Sequence, residues 1–237
     1  MPFLPFLYWD NTFILIIIGM VISGFASMYV QSTYRKYGEV NSKNGLTASE
    51  VCRKILDVGH LQDVRLEGIR GNLTDHYNAQ ENVLRLSDTT RNSRSVAAIG
   101  VAAHEAGHAL QDRDDYGPLR LRAALVPVTN FGQTAAFPLL FLGFFLGEAG
   151  GMFVNIGILL FSLTLLFQLV TLPVEFNASN RAIQVLETQG LLSREEIPQA
   201  RKVLNAAALT YVAAAIASFL SVLRLVLIFS GNGRNRG

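Results

Sequence analysis

Residues 101–111 read VAAHEAGHALQ, an alanine-rich run that carries two histidines and a carboxylate. His104 and His108 are four residues apart, so on a helix they share one face and both imidazoles can reach a single metal ion. Glu105 sits about 100° around the helix from His104, near enough to reach a water on that ion without binding the ion itself. The arrangement is H-E-x-x-H, and its chemistry is hydrolytic. A metal such as zinc acidifies a bound water, the carboxylate takes the proton, and the water oxygen attacks a polarised carbonyl. Burying two imidazoles and a carboxylate in an apolar helix without partners costs free energy, which argues against incidental polar residues.

A catalytic zinc site needs three protein ligands and one open position. No histidine follows His108, so the third ligand is a carboxylate or an upstream histidine. Glu175, in LPVEFNASNRA, is the leading candidate, because it stands where the chain leaves an apolar stretch on the side that holds His104. A carboxylate capping a helix N-terminus is the competing role for it. Ser179 lies one turn further on the same face and can hydrogen-bond a ligating histidine, as can Asn177 or Asn180. His76 and Tyr77, in LTDHY, and Arg181, beyond Glu175, are candidates for stabilising an oxyanion. For these three, a surface or turn role explains the sequence equally well.

The elements that position these residues are dominated by apolar helices. No Asp, Glu, Lys or Arg occurs in 11–34, 123–147, 149–174 or 203–223. Each window matches the roughly 20 residues a helix needs to cross a bilayer core. Half the 237 residues are hydrophobic and the mean hydropathy is +0.31, so the chain reads as mainly α and integral to a membrane, with about four transmembrane helices. The first window is expected to be an anchor rather than a signal peptide, since basic residues follow it at Arg35 and Lys36 and a secretory signal has the opposite polarity. The positive-inside rule then places the N-terminus outside and residues 31–122 in the cytoplasm. That stretch carries 13 of the chain's 20 basic residues. GEAGG forms a short outside turn between the second and third spans; a fourth crossing puts the final GNGRNRG outside, and a re-entrant or surface-packed last segment is the alternative. Arg224, near the end of the last span, is expected to snorkel to the interface.

Between the first two spans the pattern is that of a small α+β unit. TASE at 47–50 has capping-box spacing and predicts a helix over about 48–58, ending near Gly59. DVRLEGI alternates like a strand, and NLTDHY and NVLRLS flank NAQE as a hairpin. NSRS offers N-caps for the zinc helix over 95–111, which stops in DRDD and before Gly117-Pro118. A further helix is expected to begin near Pro173, and another after Ser193 and Glu196, which again have capping-box spacing. The organisation is therefore an N-terminal anchor (1–34), a cytoplasmic α+β segment with the zinc helix (35–122), a transmembrane hairpin (123–172), cytoplasmic helices with the third ligand (173–207), and a C-terminal transmembrane helix and tail (208–237). The net charge of +2 shows no basic stripe that would suit nucleic acid, and the single Cys52 forms no internal disulfide, which fits a reducing compartment.

LTDHYNAQENVLRLS, SVAAIGVAAHEAGHALQ, LPVEFNASNRA and KVLNAAALTYVAAA, in this order over about residues 46–224, together resemble the YugP-type family of bacterial membrane zinc metallopeptidases. The layout is also similar to that of the HtpX-type membrane proteases, in which spans separate the zinc helix from a later glutamate-bearing helix. The resemblance implies one zinc ion per chain, held by His104, His108 and Glu175, with Glu105 as general base. It implies an active site at the cytoplasmic face of the bacterial inner membrane. Gluzincins carry an aspartate four residues after the ligand glutamate; here that place is taken by Ser179. In peptidases of this type an edge strand beside the zinc helix pairs with extended substrate backbone.

The leading reading is a membrane-integrated zinc endopeptidase acting on protein or peptide substrates, unfolded or membrane-associated, with the bilayer as its other partner. A site-2-type intramembrane protease is the second reading, but it takes its third ligand from an L-D-G motif that this sequence lacks. A scaffold with structural zinc is the third. Closed structural sites use four protein ligands, often cysteines, and this chain has one cysteine and four histidines.

Overall fold

The computed structural model describes residues 10–231. Their order is α1 (Phe13–Gly38), α2 (Ala48–Val58), β1 (Arg65–Ile69), β2 (His76–Asn78), β3 (Val83–Ser87), α3 (Asp88–Arg91), α4 (Val96–Arg113), α5 (Gly117–Phe145), a 3-10 turn (Gly147–Gly150), α6 (Gly151–Thr188) and α7 (Ile197–Gly231). By length and composition α1, α5, α6 and α7 can each cross a membrane. The N-terminal stretch before Asp10, expected outside, and the GNGRNRG tail beyond Gly231 lie outside the described residues. The chain folds as a mainly helical membrane protein with one small sheet, in two compact units. One comprises residues up to Ala26, Leu121–Leu172 and the chain from Thr210 on; the other comprises Ser27–Arg120 and Pro173–Leu209.

In the first unit, helices approach through small residues, as is usual where lipid removes the hydrophobic drive for association. A Cβ at Gly143 of α5 would stand 2.9 Å from the Gly150 carbonyl oxygen, and one at Gly132 would stand 3.0 Å from that of Leu160 in α6. On α7, Arg224 is 3% exposed, with its guanidinium 5.6 Å from the Phe13 ring centroid and 3.9 Å from an Asp10 carboxylate oxygen. Arg224 is thus buried against the start of α1, between a carboxylate and an aromatic face.

The second unit is built around α4. Helix α2 begins with a complete capping box between Thr47 and Glu50 and lays Val51, Cys52, Ile55 and Leu56 on α4. The sheet has the order β1-β3-β2, with β1 parallel to β3 (Arg65 opposite Val83) and β2 antiparallel to it (Tyr77 opposite Leu84). The parallel β1–β3 pairing is an addition to the expected hairpin. Asp75, just before β2, accepts hydrogen bonds from the Ser87 N–H (2.8 Å), the Ser87 hydroxyl (2.9 Å) and the Thr90 hydroxyl (3.0 Å), which pins the edge strand to β3 and α3. Ala182, Ile183 and Leu186 of α6 and Ile197, Ala200 and Leu204 of α7 close the same core. With neighbours on every side, α4 carries alanine and glycine where a surface helix would carry long polar residues.

Two expected boundaries are corrected. No helix begins at Pro173, because α6 runs unbroken through it. Proline removes a single helical N–H, and the turns on either side carry the helix across the gap. The capping box at Ser193 is half made: the Glu196 carboxylate accepts the Ser193 N–H at 2.7 Å, but the Ser193 hydroxyl has no hydrogen-bond partner among the described residues. The Glu196 carboxylate also receives the Lys43 N–H at 2.7 Å, and α7 starts one residue later, at Ile197.

Candidate metal centre

Helix α4 starts at Ser95, whose hydroxyl accepts the Ala98 N–H at 3.2 Å, and places His104, Glu105 and His108 in its middle turns. Helix α6 crosses this stretch at Gly107, where an added Cβ would stand 2.4 Å from the Ala178 carbonyl oxygen. The glycine inside the motif thus lets the two backbones touch and brings Glu175 to the histidines. Glu175 is 2% exposed. Its Oε2 lies 3.1 Å from His104 Nε2 and 3.7 Å from His108 Nε2. The two rings meet edge to face, with centroids 4.7 Å apart and an interplanar angle of 81°.

These residues fit a zinc ion. Ligand atoms from His104, His108 and Glu175 all lie within 4.8 Å of one another, and two imidazoles with one carboxylate are a zinc donor set. Each ring uses Nδ1 elsewhere and turns Nε2 to the centre. His104 Nδ1 is 3.0 Å from the Ser179 hydroxyl, and His108 Nδ1 is 3.0 Å from Gln111 Oε1. The surroundings also favour a cation. Burial works against a charged His108, yet the hydrogen bond and charge of Glu175, the charge of Glu105 and the contact with Gln111 together raise its proton affinity.

Glu105 lies beside the tripod and outside it, with Oε2 accepting the Tyr77 N–H at 3.1 Å. Burial pushes its carboxyl above the ordinary range; positive charge on His104 and His108 pulls it back, while Glu175 and Asp75 add to the rise. A carboxylate tuned in that direction is a better base near neutrality. The Tyr77 N–H that it holds belongs to the open edge of the sheet, since β2 pairs only with β3 among the described strands.

The remaining candidates separate clearly. Ser179 touches His104 directly. Asn177 reaches His108 through Gln111, whose Nε2 donates to Asn177 Oδ1 at 3.0 Å and to the Val174 carbonyl at 2.8 Å. Arg181 donates from Nε to Asn177 Oδ1 at 2.8 Å, pairs with Asp114 and lies 6.0 Å from the Tyr116 ring centroid. The Tyr77 hydroxyl donates to Asp112 at 3.0 Å, and burial followed by the Asp112 charge raises its pKa. Strand alternation turns His76 to the opposite face, where its Nδ1 lies 2.9 Å from the Thr74 carbonyl oxygen. Gln111 and Asp75 are the residues that the sequence reading missed. Gln111 had a usable signal: it stands three residues after His108 on a helix whose other buried positions are almost all small or apolar.

Residues 12–230 match the family profile described as "Putative neutral zinc metallopeptidase". Over 222 residues the chain is 48% identical to a protein of Bacillus subtilis (strain 168) described as "Putative membrane protease YugP", a match covering 93% of this chain and 97% of that relative. No solved structure matches the chain. With a profile that spans nearly its whole length and a relative this close, the chain belongs to the YugP-type family of membrane zinc metallopeptidases.

Proposed function

We propose that this protein is a zinc-dependent endopeptidase of the bacterial inner membrane, with its site on the cytoplasmic side, cutting unfolded or membrane-associated proteins. The convergence of His104 Nε2, His108 Nε2 and Glu175 Oε2, with Glu105 next to them, is the observation that carries this reading. Three protein ligands rather than four suit a site that keeps a position for substrate or water. The concentration of Arg and Lys in residues 31–122 supports the cytoplasmic orientation.

Zinc, when bound, supplies Lewis acidity toward a peptide carbonyl and makes a bound water more acidic. His104, His108 and Glu175 would hold it, with Ser179 and Gln111 keeping each Nδ1 occupied. Glu105 Oε2 takes a proton from the attacking water and returns it to the departing amine nitrogen, so no net proton is left on the protein. The edge of β2 away from β3 gives an extended substrate backbone a strand to pair with, beside the Tyr77 N–H that Glu105 accepts at 3.1 Å.

Glu105→Gln is the direct test, with an unfolded, fluorescently labelled protein as substrate for the full chain in detergent or proteoliposomes. Cleavage should fall by about a hundred- to ten-thousand-fold with zinc still bound. Undiminished cleavage in this variant would remove Glu105 from the mechanism.

A further inference from the structure

We infer that Gln111, Asn177 and Arg181 form a hydrogen-bond relay of fixed polarity, converging on Asn177 Oδ1, that fixes the tautomer of His108 and makes Gln111 a positioning residue for the metal site. This inference rests on the zinc reading of His104, His108 and Glu175.

The polarity of the relay follows from groups that have only one option. A guanidinium can only donate, so the Asn177 atom that Arg181 Nε meets at 2.8 Å must be the amide oxygen. A backbone carbonyl can only accept, so the Gln111 atom 2.8 Å from the Val174 oxygen must be the amide nitrogen. The same nitrogen also donates to Asn177 Oδ1 at 3.0 Å, in agreement with the first constraint. Gln111 is therefore pinned from two independent sides, and its amide oxygen is left facing His108 Nδ1 at 3.0 Å. An amide oxygen accepts, so Nδ1 carries the proton. The Nε2 lone pair of His108 then points toward Glu175, which is the form a metal ligand needs.

The relay is anchored at its far end. Arg181 is held by Asp114 at the end of α4 and by the face of Tyr116. Gln111 itself is fully buried, so water does not compete for its amide. The chain of bonds runs α4 to α6 and back to α4, which ties the helix bearing two ligands to the helix bearing the third. The partner of His104, Ser179, is a hydroxyl that can accept or donate, so this polarity is imposed on His108 alone.

The test compares zinc affinity in full-length protein, measured by competition with a chromophoric chelator, for wild type, Gln111→Met, Asn177→Leu and Asn177→Asp. Gln111→Met keeps length and loses the acceptor; Asn177→Asp keeps the acceptor toward both Gln111 and Arg181. Affinity is expected to fall about 10- to 100-fold in Gln111→Met and measurably in Asn177→Leu, and to stay near wild type in Asn177→Asp. A slowly exchanging His108 Nδ1 proton should appear in the 15N-edited NMR spectrum of zinc-loaded wild type and Asn177→Asp and be lost in Gln111→Met. Wild-type affinity in Gln111→Met overturns the relay. So do equal losses in the two Asn177 variants, a comparison that serves if Gln111→Met fails to fold. Absence of zinc binding in the wild type would instead defeat the metal reading itself, which keeps the two failures distinct.

Discussion

Gly107 of α4 faces the Ala178 backbone of α6 with no room between them: an added Cβ would stand 2.4 Å from the Ala178 carbonyl oxygen and 3.0 Å from its carbonyl carbon. Backbone cannot swing aside as a side chain can, so Gly107→Ala must push α6, and Glu175 with it, away from the histidines. Overpacking of this kind costs about 1–3 kcal/mol. Gly100→Ala is the matched control, because its Cβ would meet Ala200 at an ordinary 3.8 Å. The control should be neutral or stabilising by up to about 1 kcal/mol. Thermal unfolding and zinc content of the two variants check the contrast, and equal behaviour would contradict the close crossing.

Cys52 is fully buried between α2 and α4, and burial raises its thiol pKa. It should resist maleimide labelling in zinc-loaded protein at neutral pH. A chelator removes a ligand that binds only the folded state, so the unit around α4 should lose stability and Cys52 should label at a lower temperature. Labelling at the same temperature with and without chelator would mean that the metal adds nothing to this unit.

Much of this site was readable before any coordinates, for specific reasons. His104, Glu105 and His108 lie on one continuous helix, and helical periodicity places such residues from spacing alone. Glu175 was reachable because it stands just past an apolar window. The capping box at Thr47 and Glu50 and the hairpin β2–β3 follow local rules that tertiary contacts leave intact. Pro173 misled because local proline chemistry was set against a helix already propagating from 22 residues upstream, and propagation won. Gln111 and the parallel β1–β3 pair were missed because their partners lie elsewhere in the chain, at Val174 and Asn177 for the one and at Val83–Ser87 for the other. The contact of Arg224 with Asp10 is not legible in the sequence because Asp10, at the far end of the chain, is its neighbour only in the fold.

Asp75 holds the start of β2 through three hydrogen bonds and touches no zinc ligand. Asp75→Ala leaves the Ser87 N–H without its acceptor, at a cost of about 1–3 kcal/mol, and loosens the edge proposed to pair with substrate. Peptide cleavage should drop while zinc stoichiometry stays at the wild-type value. Loss of zinc in this variant would show instead that the strand supports the metal site.

The account stands on Glu175 as the third ligand, and zinc per chain tests that most directly. Purified wild-type protein should carry about one zinc per chain. His104→Ala and Glu175→Ala should each lose it, with Cys52 still protected at low temperature as evidence of fold. Full zinc retention in Glu175→Ala would contradict the tripod and place the third ligand elsewhere.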